Sequence, residues 1–327
     1  MFRDAKKAKI GGKFLIYGEP GSGKSFFQLT FPDVACIDSE TGIAFYEDTP
    51  IKLNNGKEYN NLRLVDTTAD IDTFEEDLDA FLNGEYDGKI QTLSIDSETK
   101  LYQTLQTAAL EVEEKRSRKK GNDIDTVNIS QKAWGRIGLI NMKLQRAKLD
   151  LSTKGIHIVS VAQSVNVMDE TGKKLVEIKP DMYKKVGFDY DVILRFFTKR
   201  EGDKTRYFAE VINKDRTQVT QKGQIIENPC YDIWADYFEK RKDFPINETF
   251  YKKDLNTSTE SLSEESEKVD EIITEWRGVM KTIKEQANAS AATAISKFLK
   301  EKEIDIKKID LLPIETAQEL LDFTKSL

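Results

Sequence analysis

Short apolar runs alternate with longer amphipathic segments over roughly the first 250 residues of the chain. The apolar runs predict β-strands at residues 14–17, 34–38, 62–65, 90–96 and 156–162. Helical spacing of apolar residues between them predicts one helix near residues 74–82 and another near residues 134–149. Strands that alternate with helices in this way predict an α/β fold with a mostly parallel sheet.

The pattern changes after residue 190. Two further apolar runs, at residues 191–197 and 205–212, are joined by the polar turn Glu201-Gly202-Asp203. In the second run Tyr207, Ala209 and Val211 alternate with polar residues, as in a half-buried strand. The sequence therefore predicts an antiparallel hairpin at the C-terminal end of the core, which we place at residues 1–250.

The remaining residues predict a linker and a small all-α domain. Residues 251–267 are rich in Ser, Thr and Glu and poor in apolar residues, a composition typical of a flexible linker. Residues 268–327 carry three apolar stripes at helical spacing, and Pro313 precedes the last of them. We expect a small helical bundle with these stripes as its core.

Composition excludes several classes of protein. The chain has 327 residues, a charged fraction of 33% and a net charge of −7, which argues against a uniformly basic nucleic-acid coat. Its two cysteines, Cys36 and Cys230, lie far apart, so we expect neither a disulfide framework nor a zinc site. The single histidine, His157, lies in an apolar run and is expected to pack in a strand. Without a long apolar stretch or a signal-peptide core, the sequence predicts no membrane partner and a cytoplasmic location.

The most informative motif follows the first predicted strand. Residues 18–25 match the phosphate-loop pattern G-x-x-x-x-G-K-[ST]. In such a loop glycines let consecutive backbone N–H groups face phosphate oxygens, the lysine contacts the outer phosphates, and the Ser hydroxyl ligates Mg²⁺. The motif predicts a nucleoside-triphosphate site formed by Gly18, Glu19, Pro20, Gly21, Ser22, Gly23, Lys24, Ser25 and Phe26.

Acidic residues follow two other predicted strands. Asp96 ends the strand at 90–96, where a carboxylate reaches the metal together with Ser25. Ser97 occupies the position at which many ATPases carry a catalytic Glu, so the base must lie elsewhere. Glu40, just after the strand at 34–38, is our candidate, because strand tips meet at the carboxyl edge of a parallel sheet. Glu98 is the competing candidate.

Two more polar groups are candidates for catalysis. Gln163 follows the strand at 156–162 and is placed to sense the outermost phosphate. Lys214 and Arg216 are expected at the end of the second hairpin strand, where residues two apart share a face. They are candidate fingers on the nucleotide of a neighbouring subunit. The alternative for Gln163 is an ordinary polar residue at a strand end. The alternative for Lys214 and Arg216 is a solvated pair on an edge strand.

Over about residues 8–240 the chain resembles the RecA-like ATPases, and more narrowly the compact phage recombination ATPases of the Sak type. The motifs at residues 17–25, 37–40, 94–97, 161–163 and 213–216 carry the resemblance. It implies ATP and Mg²⁺ as ligands, Glu40 as the catalytic base, Gln163 as the link to DNA, and Lys214 with Arg216 acting across a subunit interface. It also implies a ring or filament of identical subunits, in the host cytoplasm if the protein is phage-encoded.

That family binds DNA after the strands that end at Asp96 and Ala162. Here the segment after the Asp96 strand carries a run of cations at residues 115–120. The alternative interpretation of this run is a solvated helix end. The second segment, residues 164–190, mixes lysines with Tyr183 and Phe188, and such a mixture suits single strands. The predicted DNA contacts are Lys115, Arg116, Arg118, Lys119, Lys120, Lys173, Lys174, Lys184 and Lys185.

The function predicted from these features is ATP-dependent binding of single-stranded DNA in phage-type recombination or annealing. Two rivals stay open. One is a ring helicase-like motor on the same core. The other is a nucleotide-dependent adaptor that recruits a replication or single-strand-binding protein through its C-terminal helices.

Overall fold

The computed structural model describes residues 5–119, 124–169, 171–172, 174–213, 215–246, 251–286, 289–306, 309 and 312–327. Within 251–267 it describes the backbone only. Three predicted site residues, Lys120, Lys173 and Lys214, therefore lie outside the described residues. The chain forms two compact units, Met1–Thr249 and Phe250–Leu327.

Nine of the described strands of the first unit form one sheet, in the order β11-β10-β9-β1-β7-β6-β2-β5, with β8 paired to β7. A separate two-stranded sheet joins β3 to β4. The strands are β1 Lys13–Gly18, β2 Val34–Asp38, β3 Ile51–Lys52, β4 Glu58–Tyr59, β5 Leu62–Asp66, β6 Thr92–Asp96, β7 His157–Met168, β8 Leu175–Pro180, β9 Val192–Glu201, β10 Lys204–Val211 and β11 Ile225–Glu227.

The sheet is parallel in its centre and antiparallel at one side. β1 pairs in parallel with β7 and with β9, and β6 and β2 continue the parallel part. β10 is added antiparallel to β9, and β11 is added antiparallel to β10. The fold class predicted from the sequence is confirmed, including the hairpin between β9 and β10.

Helices cover both faces of this sheet because its strands are apolar on both sides. On one face Phe14, Phe27 and Trp234 belong to a core that α1 and α5 complete. On the other face Leu93, Ile95 and Ile158 pack with residues of α2, α3 and α4. These helices are α1 Lys24–Gln28, α2 Ile71–Leu82, α3 Glu98–Lys119, α4 Gln131–Thr153 and α5 Asp232–Glu239, with 3-10 segments at Ile43–Tyr46 and Lys184–Asp189.

Where the structure describes the second unit, it contains three α-helices around an apolar cluster of its own. They are α6 Tyr251–Glu285, α7 Ala289–Glu301 and α8 Ile314–Lys325. Ile273, Ile295 and Leu320 are fully buried at the centre of the cluster, as the apolar stripes predicted. The sequence predicted a flexible linker at 251–267, and in the structure this segment forms the first part of α6. It contains no Gly or Pro, and its polar residues are compatible with a solvated helix.

The single histidine and both cysteines are interior residues. His157 accepts a hydrogen bond from the Gly12 backbone N–H at its Nδ1 atom (3.0 Å) and contacts the Tyr231 hydroxyl through Nε2. Burial lowers its pKa to about 3. Cys36 and Cys230 are buried free thiols. None of the helices in the described part of the chain is long and apolar enough to span a bilayer.

Candidate active site

The phosphate loop connects β1 to α1 at the carboxyl edge of the sheet. Gly18 pairs with Gln163 of β7 and Phe196 of β9, and a Cβ at this position would lie 2.3 Å from the Phe196 carbonyl oxygen. Gly23 has φ +95°, in the left-handed region that favours glycine. The backbone therefore requires glycine at both Gly18 and Gly23.

Lys24 bends back over its own loop. Its Nζ donates to the carbonyl oxygens of Gly18 and Glu19, each at 2.9 Å. Burial lowers the pKa of the Lys24 ammonium, while the carboxylates of Asp96 and Glu40 act in the opposite direction. The cation is thus fixed at the loop and faces two carboxylates.

Asp96 lies next to Ser25, as the metal-site prediction requires. The Ser25 hydroxyl donates to Asp96 Oδ2 (3.2 Å), and the Gln28 amide donates to the same oxygen (2.6 Å). Ser94 in turn donates to Gln28 Oε1. Burial raises the pKa of Asp96 to about 6, and the charge of Glu40 adds to this rise.

The surroundings of Asp96 fit a divalent cation. Among the described side chains none forms an ion pair with Asp96, and its hydrogen-bond donors, Ser25 and Gln28, are neutral. The described residues contain no group of three or more His, Cys, Asp or Glu that could hold a metal alone. A magnesium ion here would therefore be held by Ser25, Asp96 and oxygens of a bound phosphate.

Glu40 is held at the tip of β2 by its neighbours. The Asp38 carboxylate accepts from the backbone N–H of Glu40 (3.0 Å) and of Ile43 (2.8 Å), which fixes the turn. Glu40 Oε1 accepts from the Ser97 hydroxyl (2.6 Å) and from the Gln163 amide (2.8 Å). Sequence reasoning missed Gln28 and Asp38, although both lie within five residues of a predicted site residue.

A cavity of about 170 Å³ brings together three of the predicted catalytic residues and the predicted metal ligand. Lys24, Glu40, Asp96 and Gln163 all line it. Four residues from four separate segments thus meet at one edge of the sheet, as the strand-tip argument requires.

Glu98 has a different environment. Its carboxylate is buried, and Oε1 accepts from Lys148 Nζ (2.5 Å) and from the Ser160 hydroxyl (2.6 Å). The Tyr190 hydroxyl donates to Ser160 Oγ and extends this network. A carboxylate in an interior ion pair is not positioned to activate water, so the geometry favours Glu40 over Glu98.

Gln163 belongs to a strand that continues beyond the site. β7 was predicted to end at Ala162, but it runs to Met168 and pairs from Ser164 onward with β8. Thr99 fixes this position: its hydroxyl accepts from the Gln163 backbone N–H (2.9 Å) and donates to the Asp181 carbonyl oxygen (2.7 Å). The β7–β8 hairpin is therefore a direct extension of the strand that carries Gln163.

Arg216 is located at the other edge of the sheet. Its strand assignment was wrong, because β10 ends at Val211 and Asp215 begins a turn held by side-chain hydrogen bonds. Arg216 forms an ion pair with Asp191 (3.3 Å) and donates to the Phe188 carbonyl oxygen (2.8 Å). Asp191 also pairs with Lys13, at the start of β1, so Arg216 is distant from the phosphate loop of its own subunit. Any role on a nucleotide requires a neighbouring subunit.

The first predicted DNA segment lies on a helix. α3 was not predicted as an element, and it carries Lys115, Arg116, Arg118 and Lys119 in its last turns. Three of these cations are paired with glutamates of the same helix: Lys115 with Glu111, Arg116 with Glu113 and Arg118 with Glu114. The cationic run is thus partly neutralised, although the cationic side chains of these three pairs are more than 60% exposed.

The second predicted DNA segment contains the β7–β8 hairpin and the 3-10 segment after it. Lys174, Lys184 and Lys185 are exposed there, and Phe188 is 86% exposed. Tyr183 is different, because its ring contacts Tyr102 and its hydroxyl lies against Gly138 of α4. Of the two aromatic residues expected to stack on bases, the structure leaves Phe188 accessible.

The fold and the phosphate loop together define a P-loop NTPase with a mostly parallel α/β sheet. A family model described as an AAA domain matches residues 10–222, which is more than half of the chain. The chain belongs to this family of ATPases. Among solved structures, the crystal structure of the RadB recombinase is similar, with a TM-score of 0.40 and 14% sequence identity over 67% of this chain and 87% of that chain. A comparison with curated proteins gives no match.

Proposed function

We propose that the protein hydrolyses ATP with Mg²⁺ in an oligomer that acts on single-stranded DNA, as a phage-type recombination or annealing ATPase of the Sak kind. The observation that carries the proposal is the pair of hydrogen bonds from Ser97 and Gln163 to Glu40 Oε1 (2.6 and 2.8 Å). They connect the candidate base to the strand whose hairpin extends from the sheet.

The residues of the site have distinct roles in this proposal. Lys24 and the loop N–H groups hold the outer phosphates, and Glu40 orients the attacking water and accepts its proton. Gln163 keeps Glu40 in place and responds to the β7–β8 hairpin. Magnesium, when bound at Ser25 and Asp96, neutralises charge on the phosphate oxygens.

The position of Arg216 supports hydrolysis between subunits. Because it is far from its own phosphate loop, we assign Arg216 and Lys214 to the nucleotide of the next subunit. Specific activity should then rise with protein concentration, and Arg216→Ala should inhibit mixed oligomers with the wild type. A monomer with full activity would exclude this assignment.

The test of the DNA role measures ATP hydrolysis with and without single-stranded DNA. It also measures the affinity for single-stranded DNA as a function of salt concentration. Neutralising Lys115, Arg116, Arg118, Lys119 and Lys120 together should reduce the log–log salt slope of binding by about 0.7 for each phosphate that the variant no longer neutralises. Basal hydrolysis should persist, and stimulation by DNA should fall. The control replaces Lys240 and Lys242, which form ion pairs on and just after α5.

The outcome also separates the rival functions. An adaptor need show no stimulation by single-stranded DNA, whereas a helicase-like motor would unwind a forked duplex. An unchanged affinity and salt slope in the fivefold variant would reject the cationic segment as a DNA-binding element.

A further inference from the structure

Gln28 is a fully buried polar residue at the C-terminal end of α1. It is the polar member of the otherwise apolar run at residues 26–29. A buried amide needs hydrogen-bond partners, and Gln28 finds them on β6. Its Nε2 donates to Asp96 Oδ2 (2.6 Å), and its Oε1 accepts from the Ser94 hydroxyl. Gln28 therefore bridges two residues of the strand that ends in the predicted metal ligand.

The helix and the strand together fix this bridge. Ser94 and Asp96 are two residues apart on β6, so their side chains lie on the same face of the sheet. Ser25 and Gln28 are three residues apart on α1, and both donate to Asp96 Oδ2. The direction of the Gln28 amide follows from charge, because the reversed amide would place its oxygen against a carboxylate.

The two oxygens of the Asp96 carboxylate consequently differ. Both hydrogen bonds that the described residues donate to this carboxylate end on Oδ2, and Asp96 lines the cavity that Lys24 and Glu40 share. Ser25 is itself a predicted metal ligand, whereas an amide N–H cannot bind a cation. Gln28 is therefore the donor that keeps Oδ2 occupied when a metal is bound, and Oδ1 is left for the ion or for a water bound to it.

We propose that Gln28 sets the metal specificity of the site and favours Mg²⁺ over Ca²⁺. Mg²⁺ requires octahedral coordination and keeps several waters, so one carboxylate oxygen is sufficient for it. Ca²⁺ takes about six to eight oxygens and readily uses both oxygens of a carboxylate. By holding Oδ2, Gln28 denies the second oxygen to the larger ion. This inference rests on the proposed function for the presence of a divalent cation beside Ser25 and Asp96.

Ser94 has a supporting role in this specificity. Its hydroxyl holds Gln28 Oε1 on the side away from Asp96, so the amide oxygen is not available as a further ligand. Amide oxygens are ligands that Ca²⁺ accepts, and a Gln28 side chain without this partner would be free to turn. Gln28 and Ser94 are thus positioning residues, which act on the ion through Asp96.

The test measures the affinity of the full-length protein for AMPPNP, a non-hydrolysable ATP analogue, by calorimetry in saturating Mg²⁺, in saturating Ca²⁺ and in EDTA. The wild type should bind most tightly in Mg²⁺. Gln28→Met keeps the length of the side chain and removes both hydrogen bonds. Its affinity in Mg²⁺ should fall about tenfold, the usual effect of losing the partner of a metal ligand. Its affinity in Ca²⁺ should fall less than about threefold, because the freed Oδ2 supplies a second oxygen.

Two further variants complete the test. Ser94→Ala leaves Gln28 in place without its second partner, so the preference for Mg²⁺ should fall by about threefold, the value of one hydrogen bond. Thr92→Val is the matched control: Thr92 is buried on the same strand, and its hydroxyl donates to the Pro32 carbonyl oxygen (2.7 Å) at the end distant from Asp96. Its preference for Mg²⁺ should equal that of the wild type.

The ratio of the two affinities separates specificity from folding. A merely structural role of Gln28 would reduce the number of binding-competent molecules in all three conditions and leave the ratio unchanged. An unchanged ratio in Gln28→Met would overturn the inference, as would an equal loss in EDTA or a wild type without preference for Mg²⁺. If Gln28→Met does not fold, the ratio in Ser94→Ala decides in the same way.

Failure of the proposed function gives different results. A wild type that binds AMPPNP equally in EDTA and in Mg²⁺ would reject the magnesium of that proposal together with this inference. A protein that fails to hydrolyse ATP or to respond to DNA would still show the metal preference, because AMPPNP binding requires neither.

Discussion

Glu40 and Glu98 are both acidic residues beside a strand tip, and their surroundings give them different chemistry. Glu40 lines a cavity with Lys24 and Gln163, whereas Glu98 is buried in an ion pair with Lys148. The sequence pointed to both as candidate bases because each follows an apolar strand. It could not show that a lysine near the C-terminal end of α4 reaches Glu98, since such an ion pair depends on tertiary packing.

Exchange of each glutamate for glutamine should separate these roles. Glu40→Gln should retain ATP binding and lose turnover, because an amide cannot accept the proton of water. Glu98→Gln should retain turnover per folded molecule and lose about 3 kcal/mol of stability, because it leaves the buried Lys148 charge unpaired. Hydrolysis rates and urea unfolding of both variants measure the two effects.

A second substitution, at Lys148, tests whether the unpaired charge causes the loss of stability in Glu98→Gln. Lys148→Met added to Glu98→Gln should recover part of the lost stability, since the unpaired charge is then removed. Loss of hydrolysis in well-folded Glu98→Gln, with full activity in Glu40→Gln, would reverse the assignment of the base.

His157 should make stability depend on pH. Burial lowers its pKa from the ordinary value of 6.5 to about 3, so the folded state holds the neutral ring. The unfolded chain binds a proton below about pH 6.5, and stability is therefore lost as pH falls from there toward 3. At pH 5 the loss due to this group should be about 2 kcal/mol.

The measurement is urea unfolding of wild type and His157→Asn at about pH 7.5 and pH 5. Asn can accept the Gly12 hydrogen bond but cannot titrate, so its stability should fall about 2 kcal/mol less between the two conditions. The chain contains one histidine, so no other imidazole contributes. An identical pH dependence in the two proteins would contradict the prediction.

At the scale of elements, strands with strong apolar runs were predictable and short or polar elements were not. β1, β2, β5 and β6 lie within about two residues of their predicted bounds, because each is bounded by a turn signal. The hairpin of β3 and β4 was missed, since two-residue strands have no periodicity. Asn55-Gly56 is a hairpin-turn signal that pointed to it. α3 was missed because its outer face is strongly polar.

Thr99 connects α3 to the β7–β8 hairpin. It should therefore control how strongly the hairpin affects ATP hydrolysis. Its hydroxyl bonds both Gln163 and Asp181, on either side of the β7–β8 hairpin. Thr99→Val removes both bonds at nearly constant volume, so stimulation of hydrolysis by single-stranded DNA should fall while basal hydrolysis persists. Steady-state ATPase assays across a DNA titration provide the measurement.

Thr99→Ser is the control, because it keeps the hydroxyl and should keep the stimulation. A merely structural role for Thr99 would lower basal and stimulated rates together in proportion to the folded fraction. An unchanged ratio of stimulated to basal rate in Thr99→Val would therefore reject the coupling.

At the scale of the molecule, each of the two units has its own apolar core. The clusters of the first unit contain residues from Phe14 to Phe238, and the cluster of the second contains residues from Val269 to Phe323. Deleting residues 251–327 should therefore leave the first unit folded and able to hydrolyse ATP. Circular dichroism and ATPase assays of the truncated chain test this, and an aggregated or inactive product would contradict it.

The sequence predicted the whole phosphate loop and the meeting of Asp96, Glu40 and Gln163 at one sheet edge. Parallel strands make this possible, because the residue after each strand must lie at the same edge. The approach of the Tyr207 ring to the phosphate loop at Gly23 was not predictable in the same way. It depends on how the antiparallel strands β10 and β11 pack beside the loop, and no local pattern of the chain encodes that.

The burial of both thiols makes selective labelling of the chain straightforward. Cys36 is 1% exposed and Cys230 is 5% exposed, and burial raises the pKa of the Cys36 thiol well above its ordinary value. A maleimide reacts with exposed thiolates, so neither native residue should compete with an introduced cysteine. Val176→Cys, on the exposed face of the β7–β8 hairpin, would then carry a single fluorophore on the otherwise native protein.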